Sequence, residues 1–351
     1  EYTTLPKILF LHKYCFLRDY LCQSILGTNI RMNMYHKISL VSLGRTVLFA
    51  LIGIVAVSPL LRAQYYPVTL RPPSQEWMQM ETELFRLIYP KRYTPIARQS
   101  LRILEREMAS VQALMGGEIR RFPIILNPEN DLSNGYVTPI LFRSEVEIAP
   151  ITGKVMNPES GDWMNLVLPH ELVHVMHFSK QPKGALTNVI GLFSPDFRRS
   201  IHSTAPFGVH EGIAVYHETY GAHRSGGRGN YPYFLNQFRV NAASEDPWSM
   251  GQLLSITDAT PPFDRHYIGG FAFTEWLIGR YGRPVVRRAI ELNYRAPFLG
   301  FGVALRRATG EWPARLYRDF RDDVNADLHV ERGYGSGQDS QNDRCCNPGA
   351  F

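Results

Sequence analysis

The 351-residue chain predicts an α+β fold, with a sheet-bearing N-terminal half and a mainly helical C-terminal half. Three observations predict it. Strand-like segments fill the stretch up to Ile148, around a single long amphipathic helix. A helix-length run that is apolar on nearly every side, Leu166 to Phe178, comes next. Beyond it, proline starts and glycine stops recur at helical spacing. Strands first and helices afterwards argue for two halves with a site between them.

In chain order, Val68 to Pro73 and Leu84 to Pro90 read as short strands. Pro95 to Met115 reads as a helix stopped by Gly116 and Gly117. Phe122 to Leu126 and Gly135 to Ile148 read as strands divided by the turn-rich NPENDLSNG. Further on, a helix over Phe271 to Tyr281 stops at Gly282. Pro284 opens Val285 to Asn293, Gly302 to Thr309 stops at Gly310, and Pro313 opens a last helix to about Leu328. The tail from Gly333 is rich in Gly, Ser, Asn and Asp and is expected to be unstructured, which sets a domain at 64–330 and a disordered tail at 331–351.

The chemistry is concentrated in LPHELVHVMHF, Leu168 to Phe178. On a helix, His170 and His174 leave the same face one turn apart and can share one Zn²⁺, with Glu171 beside the metal as the base for its water. Pro169 is expected to lie close behind the helix start. A catalytic zinc needs a third protein ligand. The extended pattern HExxHxxGxxH fails, because residues 177 and 180 are His177 and Lys180. Glu211 lies 37 residues past His174, in HEGIAVYHE. As a helix this segment turns Glu211 and Glu218 to one face, so Glu211 can reach the metal while Glu218 braces a liganding histidine. Gly212 and Ala214 would let it pack closely against the first helix. His210 or His217 would replace Glu211 if the helix were rotated, and His177, two turns from His170, is either a brace to the site or a packed side chain. The GGRG run at Gly226 to Gly229 reads as a flexible connection rather than a phosphate cradle.

HELVH followed by EGIAVYHE resembles the gluzincin metallopeptidases, and their aminopeptidase branch in particular. The resemblance implies a thermolysin/aminopeptidase-like fold, one Zn²⁺ per chain held by His170, His174 and Glu211, Glu171 as general base, and hydrolysis of peptide or protein substrates. HYIGGFAFTEWL, His266 to Leu277, is similar to the YxxG segment of that branch, which gives Tyr267 the role of oxyanion donor, with His266 as its understudy; a tyrosine that only caps a helix is the plainer alternative. The GxMEN-type segment that reads a free amino terminus is not in this chain. From about Tyr65 to Asp327 the sequence more closely resembles the peptidase MA-like domain of bacterial envelope proteins, often joined to a TolB-like β-propeller. The gluzincin order places an edge strand beside the metal helix to hold the substrate backbone. Phe142 to Ile148 is the segment expected there, with Phe142, Ser144 and Val146 against the substrate, unless it is an ordinary core strand. Two rivals remain open: a non-catalytic metal-containing module of an envelope assembly, and a zinc hydrolase of a non-peptide bond.

The formal charge of +6 belongs to the leader. Residues 1–63 hold seven of the 38 basic and two of the 32 acidic residues, which leaves the rest at +1 and gives nucleic-acid binding no support. From Met32 or Met34 the chain runs through Lys37 and Arg45 into the 15 apolar-rich residues Val47 to Leu61, then Arg62 and Ala63. This predicts a signal peptide cleaved after Ala63 and export to the periplasm or cell envelope. The stretch is shorter than the roughly 20 residues of a membrane span. Residues 1–31 read as an upstream extension. Cys15, Cys22, Cys345 and Cys346 all lie outside the expected domain and so neither ligate the metal nor staple the core.

Overall fold

A computed structural model describes residues 71–119, 121–128, 131–150, 162–221, 226–255, 262 and 264–342. The upstream extension, the leader, Val68 to Leu70 and the four cysteines lie outside the described residues.

The fold is mixed α+β. Strands β1 (Trp77–Glu81), β2 (Phe85–Pro90), β3 (Phe122–Asn127), β4 (Gly135–Thr138) and β5 (Arg143–Glu147) form one sheet in the order β1-β2-β3-β5-β4. The β1/β2 and β4/β5 pairs are antiparallel, whereas β2/β3 and β3/β5 are parallel. Parallel β2 and β3 need a crossover, and helix α1 (Thr94–Met115) supplies it. Ala97, Ser100, Leu104, Met108, Val111 and Met115 make its buried stripe, Pro95 opens it, and Gly116 with φ +64° ends it.

Two expectations for this half are corrected. Arg71 to Pro73 is not a strand, because two prolines offer no ladder donors; Arg71 instead reaches Glu145 (2.6 Å) and Asn127. The first strand among the described residues is β1, which sequence periodicity did not mark. Gly135 to Ile148 is a hairpin rather than one strand, turning at Pro139 to Phe142.

The helical half begins with α2 (Trp163–Ser179), capped by the Asp162 side chain accepting from Met164 N–H at 3.1 Å. α2 is buried almost throughout from Met164 to Phe178, as a helix apolar on all sides must be. There follow α3 (Ala185–Phe193), α4 (Pro195–Ser200), α5 (Phe207–Tyr220), α6 (Pro232–Ala242), α7 (Met250–Leu254), α8 (Arg265–Tyr281), α9 (Pro284–Arg295), α10 (Phe301–Thr309) and α11 (Pro313–Asn342). Gly282 and Gly310 end α8 and α10 at positive φ as expected, but α11 runs on well past Leu328. Gly333, Gly335 and Gly337 weaken a helix without interrupting it, since glycine, unlike proline, keeps its N–H. No described helix is long and apolar enough to cross a membrane.

Candidate metal centre

Helix α2 carries His170 and His174 on one face, with their Nε2 atoms 3.2 Å apart. Pro169 sits inside this helix, six residues past its start, and not just behind the start as the sequence suggested. Its missing N–H costs about 3 kcal/mol in an exposed helix, and the burial of Leu166, Val167, Leu168 and Leu172 on all sides of it offsets that cost.

Helix α5 brings in Glu211. Its Oε2 lies 3.1 Å from His170 Nε2 and 3.4 Å from His174 Nε2. All three ligand atoms lie within 4.8 Å of one another and all three residues are buried. Two ligand atoms about 2.1 Å from a tetrahedral zinc stand roughly 3.4 Å apart, close to the 3.1, 3.2 and 3.4 Å seen. The donor set, two imidazoles and one carboxylate, suits that metal. Burial alone would hold the Glu211 carboxyl neutral, but the facing His174 and His170 bring its pKa well below the ordinary value.

The other nitrogen of His170 is also held. Glu218, two turns along α5, places Oε2 3.1 Å from His170 Nδ1, which fixes the tautomer that leaves Nε2 free for a metal. Although burial opposes it, contact with Glu211 and Glu218 raises the His170 pKa to about 9.

Arg228 completes this side, and the sequence reading missed it. Its Nε donates to Glu218 Oε1 at 2.6 Å and its Nη2 to Oε2 at 3.1 Å. The backbone N–H of Arg228 reaches Oε1 as well, at 3.2 Å. Burial works against the charge of Glu218, but Arg228 and His170 bring its pKa down to about 2. Nη2 also lies 3.0 Å from His170 Nδ1; both are donors when Nδ1–H bonds Glu218, so this approach is packing. The expected flexible connection is therefore corrected. A Cβ on Gly227 would stand 2.3 Å from Thr219 Cα, and one on Gly229 2.3 Å from the Phe271 ring. These glycines let Arg228 come in close, and nothing in their spelling separates that role from flexibility.

Glu171 lies on α2 beside the ligands. It is buried, and among the described residues its Oε2 has no hydrogen-bond partner. Burial raises its pKa, against the pull of His174 and His170. A buried carboxylate oxygen without a partner is costly, and a water on an adjacent metal would satisfy it. Gly135 of β4 covers this carboxylate so closely that a Cβ there would meet Oε1 at 2.8 Å.

That contact overturns the expected substrate strand. β5 carries Ser144 and Val146, both buried, and is paired on both sides, by β3 and by β4. The Phe142 ring packs on Phe122 with the Arg199 guanidinium 4.0 Å above it. None of the three can meet an added strand. The edge beside the metal helix is β4, because the hairpin turn folds it outside β5.

Helix α8 sets Tyr267 over the ligands. The Tyr267 ring lies 6.4 Å from that of His170 and 5.0 Å from the Arg228 guanidinium. Burial, then Glu211, raises its pKa well above the ordinary value, which keeps its proton in place. The His266 ring packs on Phe207 at 5.1 Å and on Tyr267 at 4.6 Å. The glycines of α5 and α8 explain the approach: a Cβ on Gly212 would meet the Gly270 carbonyl at 2.2 Å, and one on Gly270 the Gly208 carbonyl at 2.0 Å. Gly212 thus admits α8 rather than α2.

The remaining histidines are placed elsewhere. His177 stacks on His210 (4.2 Å, 17°) and meets His202 edge-on (5.1 Å), away from His170. His210 donates from Nε2 to the His202 carbonyl at 3.1 Å. His217 faces the buried Glu107 of α1 at 3.7 Å. Lys180, where a third histidine would extend the motif, donates to the Met115 carbonyl at the end of α1 and pairs with Glu291 at 2.9 Å.

No known family model matches this chain, and no curated protein matches it.

Proposed function

We propose that the protein is a zinc-dependent peptidase. One observation carries the reading: two imidazole nitrogens and a carboxylate oxygen converge at tetrahedral spacing, beside a buried carboxylate with one oxygen that has no partner among the described residues. A structural zinc site is closed by a fourth protein ligand and has no use for such a base.

His170, His174 and Glu211 would hold the Zn²⁺, which supplies Lewis acidity and a water of lowered pKa. Glu171 accepts the proton of the attacking water and returns it to the leaving amine. Glu218 and Arg228 keep His170 in orientation. Tyr267 donates its phenolic proton in a hydrogen bond to the carbonyl oxygen as that oxygen gains charge. β4 binds the substrate backbone by the edge that no described strand pairs, and Gly135 keeps the backbone close to Glu171.

Glu171→Gln tests this reading. The variant keeps its zinc and its fold but hydrolyses a broad peptide library, followed by mass spectrometry, about 10²- to 10⁴-fold more slowly than the parent. A Glu171→Gln protein as active as the parent overturns the mechanism. A zinc-loaded parent that cleaves no peptide overturns the substrate class. The leader belongs to the same reading. Export with cleavage after Ala63 gives a mature chain beginning at Gln64, which amino-terminal sequencing from the native host reads directly.

A further inference from the structure

Helix α3 is built inside out. A surface helix of a soluble domain turns its large apolar residues inward. Here Thr187 is the one fully buried residue of α3, and Gly191 packs against Arg198, where a Cβ would meet Cδ at 2.7 Å. Leu192 and Phe193 are 84% and 85% exposed, and Leu186 and Val189 are exposed with them. At 100° per residue, Leu186, Val189, Leu192 and Phe193 share the arc opposite Thr187 and Gly191.

Neighbouring segments extend this face. Phe197 of α4 is exposed, as are Ile140 and Leu141 in the β4–β5 turn. That turn is fastened to α4: Leu141 N–H donates to Asp196 at 2.8 Å, and Arg199 donates to the Pro139 carbonyl at 3.1 Å. Leu141 is the one non-glycine residue at positive φ among the described residues (φ +51°), and it is 72% exposed. A strained backbone that holds a leucine out in water calls for something to cover it.

The charge around the face is one-sided. Between Lys180 and Ser200 the single acidic residue is Asp196, and its carboxylate is taken by Arg199 (2.6 Å) and by Leu141 N–H. Lys183 and Arg295 stand exposed at the start of α3, where Gly184 abuts Arg295. Large apolar side chains on a projecting helix and turn, backed by cations, fit the boundary of an anionic bilayer.

We propose that α3, Phe197 and the β4–β5 turn form a membrane-docking face that inserts Leu192 and Phe193 among the acyl chains of an anionic leaflet. This does not depend on the metal. It would bring the β4 edge, and the site beside it, to polypeptides lying at the membrane surface.

The test uses the full chain and phosphatidylcholine vesicles with and without phosphatidylglycerol. Leu192→Ser/Phe193→Ser lowers partitioning onto the anionic vesicles by about tenfold or more, while Val240→Ser, an exposed apolar residue on α6, leaves it unchanged. Lys183→Glu/Arg295→Glu removes the part that depends on phosphatidylglycerol. The leader is common to all variants, so its contribution cancels. Helicity and zinc content stay at the parent's values, because every substituted side chain is exposed. Equal partitioning of parent and serine variant overturns the proposal. So does a serine variant that changes only the sedimentation of the protein, which would make the face a contact between two copies of the chain. Partitioning that ignores phosphatidylglycerol overturns the anionic partner.

Discussion

Two groups of buried histidines meet along α2, which carries His170 and His174 of the first and His177 of the second, and their surroundings make them opposites. His170 and His174 face carboxylates: Glu211 approaches both and Glu218 holds the far nitrogen of His170. His177, His202 and His210 face one another, Phe178 and Tyr294, and His202 and His210 donate to the backbone carbonyls of Lys180 and His202. The first setting raises the His170 pKa to about 9. The second, chiefly through burial, lowers His202 to about 3 and His210 to about 4. The side chain is the same; the carboxylates around the first pair make a group that could hold a metal ion, whereas the second group is a polar piece of core.

The comparison breaks most sharply at the third ligand. Glu211→Ala is expected to remove most of the roughly one zinc per chain and with it all turnover, whereas His210→Ala keeps the metal, as read by metal analysis of purified protein. Full zinc in Glu211→Ala, together with its loss from His210→Ala or His217→Ala, would pass the third-ligand role from Glu211 to that histidine.

A smaller effect is expected from Tyr267. Tyr267→Phe lowers kcat about 10²-fold with little change in KM, as loss of an oxyanion donor does. His266→Ala, whose ring packs on Phe207, serves as the control. If His266→Ala is crippled and Tyr267→Phe is not, the two roles exchange. If neither matters, the tyrosine only opens α8.

The smallest effect sharpens the second group. In the unfolded chain His202 takes up a proton near pH 6.5; in the folded protein it does so only near pH 3. Its contribution to stability is therefore complete above about pH 6.5 and is lost as the pH falls toward 3, at up to about 1.4 kcal/mol per pH unit. His202→Phe flattens this acid limb in denaturant titrations at successive pH values. An unchanged slope would mean that His202 is protonated in the fold.

The ligand pair was legible because a spacing of four residues on a helix is local geometry, and Glu211 because its helix repeats the same rule. Strand-then-helix order likewise follows from local periodicity. The edge strand was not legible. Its turn is marked by Pro139 alone, and Leu141 occupies a conformation that leucine disfavours. Pro169 misled about the start of α2 because burial on all sides outweighs a broken hydrogen bond. Arg228 stayed hidden because its flanking glycines spell a loose loop, while their tight packing depends on Thr219, eight positions before Gly227, and on Phe271, 42 positions beyond Gly229.

The contact between α5 and α8 has one more consequence. Where Gly208, Gly212 and Gly270 meet, no side chain stands between the helices, so the distance from Glu211 to Tyr267 is gauged by the thickness of the peptide backbone, a dimension that no substitution can trim. Even an alanine in place of Gly212 or Gly270 would act as a shim, because its Cβ would stand 2.0–2.2 Å from a carbonyl oxygen of the facing helix and the two backbones would have to part. If the protein is the peptidase proposed, variation in what it cleaves falls to the opposite wall, where side chains rather than bare backbone line the approach.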